Sequence, residues 1–382
     1  MPEGNVKNIG PARPAAAGHW WRWFKVADRE TVLLVLALKA LIFGFVLLSV
    51  RTLFDQYEIG WMTMWNRWDA VHYQSLAEFG YSNTGEARYS IVFYPLYPWL
   101  VRLVAGIGWD YLAAGFVVSG VASVAAGLLL RRLVRLDHPA AVARRAVWFL
   151  FIFPTAYFLH IGYTESLFLA LVLGCVLAAR KEYWAWAGLL GACASLTRVN
   201  GLLLGPALAV EAWMQYRATR RINWRWLWIG AVGLGFVGYL WLNYEVTGNA
   251  FAFSAIMEEH WFKKFTPLWV GISDLWRRIP DGDITEGLHE FTYVVLSFVC
   301  TIWCWVRLRP SYAIWMTLNW LLVNSTSFVL SVPRYCLTFF PIFILFALLA
   351  VKHRLAGWAL TAASLLFLAL FATKFAHGTW AF

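Results

Sequence analysis

The chain has 382 residues, of which 61% are hydrophobic and only 14% are charged. Soluble proteins contain about 25% charged residues, so this composition excludes an ordinary soluble protein. The net charge of +11 does not indicate nucleic-acid binding, because the basic residues lie in short stretches between apolar runs, where they set membrane topology. The continuous apolar runs predict a polytopic α-helical membrane protein and exclude a transmembrane β-barrel.

The first thirty residues precede any apolar run. Residues 1–18 are polar and contain Pro, Ala and Gly, which predicts a disordered tail. Residues 19–30 carry Trp and basic side chains, as in a cytoplasmic interfacial segment. The first predicted span, 31–50, has Lys39 in its middle. A cation at that depth either faces the bundle interior or extends to the headgroups.

Residues 51–92 are polar and too long for a turn, so they form the first candidate functional loop. Within it, a helix through Asp69, His72 and Tyr73 would place these three side chains on one face. A carboxylate beside an imidazole suits acid/base chemistry. The structural alternative is an interfacial segment in which Arg67 and Asp69 form a surface ion pair. A short Pro-bounded run over 95–108 then predicts a re-entrant or surface helix.

Ten more predicted spans bring the total to eleven: 111–130, 146–161, 164–179, 184–197, 200–214, 226–244, 288–306, 311–330, 335–350 and 355–373. If the spans alternate in direction, most Lys and Arg residues fall on one side, in the stretches 7–29, 131–145, 180–181, 217–225, 307–309 and 352–354. Such an excess marks the cytoplasmic side. The chain is therefore predicted to have its N-terminus inside and its C-terminus outside.

This topology predicts a cytoplasmic segment over 1–30, one transmembrane domain over 31–373 and an extracytoplasmic tail over 374–382. The domain has outer loops at about 51–110 and 245–287. In the second loop, residues 258–264 are predicted to form an amphipathic helix on the membrane.

Polar residues that are costly in a membrane gather on the predicted outer side. Arg198 and Arg334 lie at the ends of apolar spans, where a guanidinium needs an anion such as a lipid phosphate. The alternative is that each extends to headgroups or pairs with a loop carboxylate. Two such arginines on the side where Arg is disfavoured indicate function. His160 is a secondary candidate, with a helix cap as its alternative, and His260 has a solvated helix face as its alternative.

The sequence contains no Gly-rich phosphate loop, zinc spacing or GxSxG motif. A nucleotide-dependent cytosolic enzyme is thus disfavoured. We expect any chemistry to use a membrane-borne substrate on the outer face.

An ordered set of motifs resembles the PIG-V family of membrane mannosyltransferases, within the GT-C class. The resemblance runs from about residue 60 to near the C-terminus and rests on these stretches: Arg67-Trp68-Asp69-Ala70-x-His72-Tyr73, Phe93-Tyr94-Pro95-Leu96-Tyr97-Pro98, Tyr163-Thr164-Glu165-Ser166, Thr197-Arg198-Val199-Asn200-Gly201, Thr247-Gly248-Asn249-Ala250-Phe251 and Ser331-Val332-Pro333-Arg334-Tyr335. It implies an all-α GT-C-type bundle.

The resemblance also implies an inverting transfer of a sugar, usually mannose, from a polyprenyl-phosphate donor on the extracytoplasmic face. Asp69 matches the family's acidic residue and is expected to be the catalytic base. The acceptor is a hydroxyl of a glycan, a glycolipid or a protein. The partners are thus donor, acceptor and membrane lipids, without nucleic acid. The location is the plasma membrane in a prokaryote or the endoplasmic reticulum in a eukaryote.

The leaving phosphate needs positive charge, which we assign to Arg198 and Arg334, with Lys263 as a further candidate. The other predicted substrate-binding residues are Arg67, His72, Tyr73, Tyr163, Glu165, Asn200, Asn249, His260 and Tyr335. No metal or other cofactor is required by this scheme. A divalent ion bridging Asp55 or Glu165 to the phosphate is an additional option without support in the sequence.

Two rival functions follow from the same residues. A lipid or sugar transporter would have repeated halves and ionisable groups near the bilayer midplane. Most charges here lie at span ends, although Lys39 fits the transporter. A non-catalytic scaffold would leave the outer acids and bases dispensable.

Overall fold

The computed structural model describes residues 26–281 and 285–382, and these residues are almost entirely helical. Residues 1–25, which hold the predicted tail and most of the interfacial segment, lie outside the described ranges. The helices up to the middle of the chain are α1 (Val26–Phe54), α2 (Asp69–Phe79), α3 (Leu96–Ala105), α4 (Tyr111–Val134), α5 (Ala140–Phe151), α6 (Glu165–Arg180), α7 (Trp184–Ser195) and α8 (Leu204–Thr219).

The second half continues in the same way. Its helices are α9 (Val232–Thr247), α10 (Ala252–Glu259), α11 (Leu268–Asp281), α12 (Glu290–Arg307), α13 (Pro310–Asn324), α14 (Val332–Cys336), α15 (Pro341–Lys352) and α16 (Arg354–His377). In the described ranges, β pairing is limited to one isolated bridge between Phe265 and Thr326.

Each of the eleven predicted spans corresponds to a helix, with shifted bounds. Five segments are long and apolar enough to cross a membrane: Val26–Phe54, Tyr111–Val134, Trp224–Thr247, Gly287–Arg307 and Arg354–His377. Of the other six, α5, α7, α13 and α15 are shorter than the predicted spans, whereas α6 and α8 have about the predicted length. The predicted span 335–350 begins only at Pro341, so Arg334 and Tyr335 lie outside it, in the separate helix α14. The predicted helix over 258–264 is also misplaced, because α10 ends at Glu259.

Helix α4 lies at the centre of the bundle and packs against α1, α3, α5 and α6. The side chains it buries are mostly small, including Ala114, Gly115, Ser119, Ala126 and Gly127. Small residues let the backbones of membrane helices approach closely, which strengthens their van der Waals packing. Close packing around α4 therefore fixes the helices that carry the polar loops.

Three of the basic stretches that were predicted to share one side, 131–145, 180–181 and 307–309, meet at one end of the bundle, which we call the basic end. Arg131 pairs with Glu30 at 2.9 Å, Arg180 with Asp137 at 2.7 Å, and Arg309 with Glu211 at 2.8 Å. These pairs join segments far apart in sequence, so the stretches 131–145, 180–181 and 307–309 lie on one side of the bundle as predicted. Which side of the membrane the basic end faces stays a prediction.

Helices α7 and α9 approach so closely that they require a glycine. A Cβ atom at Gly235 would lie 1.9 Å from the carbonyl oxygen of Ala192, whereas one at Gly233, in the same helix, would have no atom within 4 Å.

We expect Gly235→Ala to destabilise the protein by about 1–3 kcal/mol through overpacking, seen as a lower melting temperature in detergent. Gly233→Ala is the matched control and should not lower it. Equal melting temperatures would contradict this packing.

Candidate active site

Four charged side chains from four separate segments form a continuous chain of ion pairs. The carboxylate oxygen Oε1 of Glu165 accepts hydrogen bonds from Arg198 Nη1 and from Arg334 Nε, both at 2.6 Å. Arg334 Nη2 then contacts Asp69 Oδ2 at 2.7 Å. Glu165 has no exposed surface, and buried charges are tolerated only when they are paired. The two acids and two bases thus hold one another in place.

Asp69 is the first residue of α2, where the helix dipole favours a carboxylate. Its neighbour Trp68 has φ 53° and ψ −124°, an unusual backbone conformation for a bulky residue. Contacts on both sides maintain it: the hydroxyl of Tyr163 donates to the carbonyl of Arg67 at 2.9 Å, and Trp68 packs edge-on against Trp380 at 5.1 Å. At the other end of α2, the guanidinium of Arg102 donates to the carbonyl of Ala77 at 2.6 Å.

The two arginines reach the site from turns. Arg198 precedes the 3-10 helix Val199–Leu203, and its Nη1 also donates to the hydroxyl of Thr164 at 2.9 Å. Arg334 lies in α14 and has its guanidinium over the rings of Tyr163 and Phe158, at 4.8 and 5.1 Å. Such cation–π contacts add to the stability of a desolvated guanidinium.

The electrostatics leave Asp69 ionised. Burial raises the pKa of its carboxyl, but the charge and the hydrogen bond of Arg334 lower the pKa by more, so the net shift is downward. The side chain keeps 23% of its surface exposed. At neutral pH the site therefore presents a carboxylate that is partly open to a substrate.

His72 lies one turn after Asp69 and is held by other contacts. Its Nδ1 lies 3.0 Å from the hydroxyl of Ser90, and its ring stacks on Phe93 with centroids 4.8 Å apart. Burial lowers the pKa of His72, while the negative charge of Asp69 opposes that shift. The ring is therefore neutral at pH 7 and shapes the wall of the site.

Lys263 and Tyr335 lie on the side of Arg198. The positive charge of Lys263 lowers the pKa of Tyr335 despite the opposing effect of burial. The guanidinium of Arg198 lies 5.1 Å from the centre of the Tyr335 ring. The charges of Lys263 and Arg198 make this side of the site positive.

Several predicted site residues make other contacts. Arg67 does not pair with Asp69 in the described structure, and its Nη2 lies 3.5 Å from the carbonyl of Ala376. Asn200 donates to Asn319 at 2.8 Å inside the bundle, and Asn249 closes an exposed turn by accepting from the amide of Phe251 at 2.9 Å. His260 stacks on Tyr89 at 3.8 Å. These contacts show what holds each side chain in the structure, and the predicted contacts of all four with a substrate stay predictions.

Tyr73 and His160 are both in the interior. The ring of Tyr73 packs edge-on against Tyr97 and Tyr163, at 5.3 and 6.2 Å. His160 is fully buried, and neither of its ring nitrogens has a hydrogen-bond partner among the described residues. The alternative role of His160 as a helix cap is therefore wrong. Across residues 26–281 and 285–382, no group of three or more His, Cys, Asp or Glu side chains could hold a metal ion.

Sequence reasoning missed Glu290, whose buried carboxylate binds the backbone just before Arg334. It lies three residues beyond the predicted end of the second outer loop. The available signal was an acid at the first turn of an apolar helix. Asn319, the partner of Asn200, lies in the middle of an apolar span and gave a similar signal.

No protein-family profile matches the chain, and no curated protein matches it either. Among solved structures, ArnT from Cupriavidus metallidurans, bound to undecaprenyl phosphate, is similar with a TM-score of 0.52 and 17% identity, over 87% of this chain. The two proteins share a fold. The chain spans 63% of the length of ArnT, and a likeness at this identity concerns the fold alone.

An oligosaccharyltransferase of Archaeoglobus fulgidus, in complex with zinc and sulfate, is similar at a TM-score of 0.47 and 11% identity, over 90% of this chain and 53% of that one. This weaker likeness carries no argument. The ArnT likeness confirms the predicted all-α membrane fold of GT-C type. The resemblance to the PIG-V family stays a prediction.

Glu165 should be the most sensitive carboxylate for stability. Glu165→Gln removes the charge between two buried guanidinium groups, and breaking such a buried pair costs about 3–5 kcal/mol. The measurement is the free energy of unfolding, or the melting temperature, in detergent. Glu258→Gln is the matched control, because Glu258 pairs with Lys264 at 2.8 Å while both side chains are more than half exposed. Its effect should stay within about 0.5 kcal/mol, and equal effects would contradict the central role of Glu165.

Proposed function

We propose that this protein is an inverting glycosyltransferase that moves a sugar, mannose in the first instance, from a polyprenyl-phosphate donor to an acceptor hydroxyl. The observation that carries the proposal is the chain of ion pairs from Asp69 through Arg334 and Glu165 to Arg198. It places an ionised, partly exposed carboxylate beside guanidinium groups at one end of a membrane bundle. Such a site suits a substrate with a hydroxyl on one side and a lipid phosphate on the other.

Asp69 is the base in this reaction. Its Oδ2 is bound to Arg334, and the 23% of the side chain that remains exposed is open to an acceptor hydroxyl. As the acceptor oxygen bonds to the anomeric carbon, its proton passes to Asp69. The bond from that carbon to the phosphate oxygen breaks, and its electron pair leaves with the phosphate. One displacement of this kind inverts the anomeric centre.

Arg198, Lys263 and Tyr335 receive the leaving phosphate. The hydrogen bonds of Arg198 to Glu165 and Thr164 both use Nη1, so its Nε and Nη2 are the donors offered to the lipid. Arg334 already binds both Asp69 and Glu165. We therefore assign the phosphate mainly to Arg198 and assign Arg334 to the orientation of Asp69. Charge stabilisation by groups fixed in advance is the larger part of such catalysis.

The likeness to ArnT supports the lipid-linked donor, because that structure holds undecaprenyl phosphate within the same fold. The PIG-V resemblance supports mannose and the extracytoplasmic face. A glycan, a glycolipid or a protein can supply the acceptor hydroxyl, since the reaction needs only that group. No metal takes part in the proposed step.

The decisive variant is Asp69→Asn, which keeps the shape of the side chain and removes the base. We expect a loss of about a hundredfold or more in transfer of radiolabelled mannose from a short-chain polyprenyl-phosphate-mannose to a panel of mannosides and lipid extracts. Glu58→Gln is the matched control, because Glu58 is an exposed acid of the same loop. Wild-type activity in Asp69→Asn would overturn the assignment of the base.

The same assay separates the enzyme from a transporter, the rival that Lys39 favours. A transporter would carry labelled lipid across liposome membranes and transfer no sugar to any acceptor. Sugar transfer by the wild type with no lipid transport supports the proposed reaction.

Arg198→Lys tests the phosphate assignment. A lysine keeps the positive charge beside Glu165 and loses the fork of donors. Losing one charge-assisted hydrogen bond, about 1.5 kcal/mol, should weaken the binding of a short polyprenyl phosphate by roughly tenfold in calorimetry. Arg221→Lys, at an exposed position of the basic end, should leave binding unchanged. Equal affinities of all three proteins would exclude Arg198 from the phosphate site.

A further inference from the structure

Glu290 is a second buried acid. In the part of the chain that the structure describes, its side chain forms hydrogen bonds only with backbone amides. It is the first residue of α12 and has no exposed surface. Its Oε1 accepts from the amide of Ser331 at 2.6 Å, and its Oε2 accepts from the amide of Val332 at 2.7 Å. Both carboxylate oxygens are thus used to hold two successive residues of one loop.

The loop needs this support because of its backbone conformation. Ser331 has φ 68° and ψ 25°, in the left-handed region that non-glycine residues rarely occupy. Such a residue keeps its conformation only where the surroundings enforce it. The hydrogen bonds to Glu290 come from the amide nitrogen of Ser331 and from that of the next residue, Val332, so they hold the backbone on both sides of the Ser331 Cα atom.

The supported residues begin the short helix that carries Arg334. Val332 is the first residue of α14, and Arg334 follows two positions later. The first amides of a helix have no partner within it, so Glu290 satisfies donors that would otherwise be orphaned in the interior. The guanidinium of Arg334 then reaches Asp69 and Glu165 at 2.7 and 2.6 Å. Those distances leave little room for a shift of α14.

The same loop is held further upstream from another direction. Arg278 in α11 donates to the carbonyl of Val329 at 2.7 Å, and the amide of Thr266 donates to the carbonyl of Ser325 at 3.1 Å. These contacts secure the part of the loop before Ser331. Of these contacts, only the hydrogen bonds of Glu290 hold Ser331 and Val332, the two residues that join the loop to α14.

We propose that Glu290 is a positioning residue for the transfer reaction: it fixes Ser331 and Val332 so that Arg334 can orient Asp69. The inference rests on the proposed function. Displacements of about 1 Å in a catalytic constellation can cost roughly a hundredfold in rate. Glu290 therefore affects turnover through Arg334 without touching the substrate.

The test combines hydrogen exchange with kinetics on the full-length protein in detergent. In Glu290→Ala, amides of residues 329–336 should exchange faster, and kcat should fall roughly tenfold to a hundredfold, while KM for the donor changes less than about threefold. Glu290→Gln keeps one acceptor oxygen and should lie between the wild type and Glu290→Ala. The readouts are the exchange rates of this segment and the split between kcat and KM.

The double variant Glu290→Ala with Ser331→Gly adds a rescue. Glycine adopts the left-handed conformation at no steric cost, so the loop should hold its shape better, and kcat should recover severalfold relative to Glu290→Ala alone. Because relief of strain at Ser331 also raises overall stability, the recovery of kcat supports the proposal only if exchange in residues 329–336 slows with it; recovery without slower exchange would contradict it.

The matched control is Glu211→Ala, since Glu211 is an equally buried acid that binds Arg309 and Ser311, both at 2.8 Å, at the basic end. It should lower the melting temperature and leave both kcat and exchange in residues 329–336 within about twofold of the wild type.

Wild-type kcat in Glu290→Ala would overturn the proposal, whatever the exchange shows. If the wild type transfers no sugar from any donor, the proposed function fails, and unchanged exchange in Glu290→Ala would separately disprove the hold on the loop.

Discussion

The pairing of Glu165 with two arginines is the interaction on which the rest of the site depends. A carboxylate with no exposed surface is stable here only because Arg198 and Arg334 both donate to it. In turn, each arginine is costly near a membrane unless an anion satisfies it. Four segments far apart in sequence must therefore come together for any one of these charges to be tolerated. This mutual requirement gives the site a defined geometry before any substrate binds.

The helical frame explains why the charges meet at a single end. Small residues on α4 let α1, α3, α5 and α6 pack closely, and the ion pairs of the basic end fix the opposite ends of several helices. The polar turns that begin α2, α6 and α14 then lie near one another. Two of the non-glycine residues with positive φ, Trp68 and Ser331, lie in those turns, and backbone strain of this kind is common at functional sites.

The sequence was sufficient to predict the apolar helices of the bundle and to single out the four charged residues that the structure brings together in the chain of ion pairs. Apolar runs near the length of a membrane span are a strong signal, and each predicted run is a helix. Asp69, Arg198 and Arg334 stood out because charges are costly at span ends. Their partners could not be predicted, since the pairing of Arg334 with Asp69 depends on the packing of whole helices. For the same reason the hydrogen bond between Asn200 and Asn319 could not be predicted from the sequence.

Other structural features were missed because a local sequence pattern is compatible with more than one structure. Residues 258–264 have the alternation of an amphipathic helix, yet α10 ends at Glu259. Glu290 escaped notice because its role is to bind backbone amides, which no side-chain motif reveals. The turn that Asn249 closes was likewise not predicted, and its contact with a sugar stays a prediction.

The contact between Arg67 and Ala376 joins positions separated by 309 residues. A chain made from its N-terminus inserts α1 and the loop bearing Asp69 early, long before α14 and α16 leave the ribosome. During that interval Asp69 has no Arg334, and the turn at Trp68 lacks the packing of Trp380. The chain of ion pairs is therefore completed only after α14 has been inserted, so the nascent chain has no assembled site before that point.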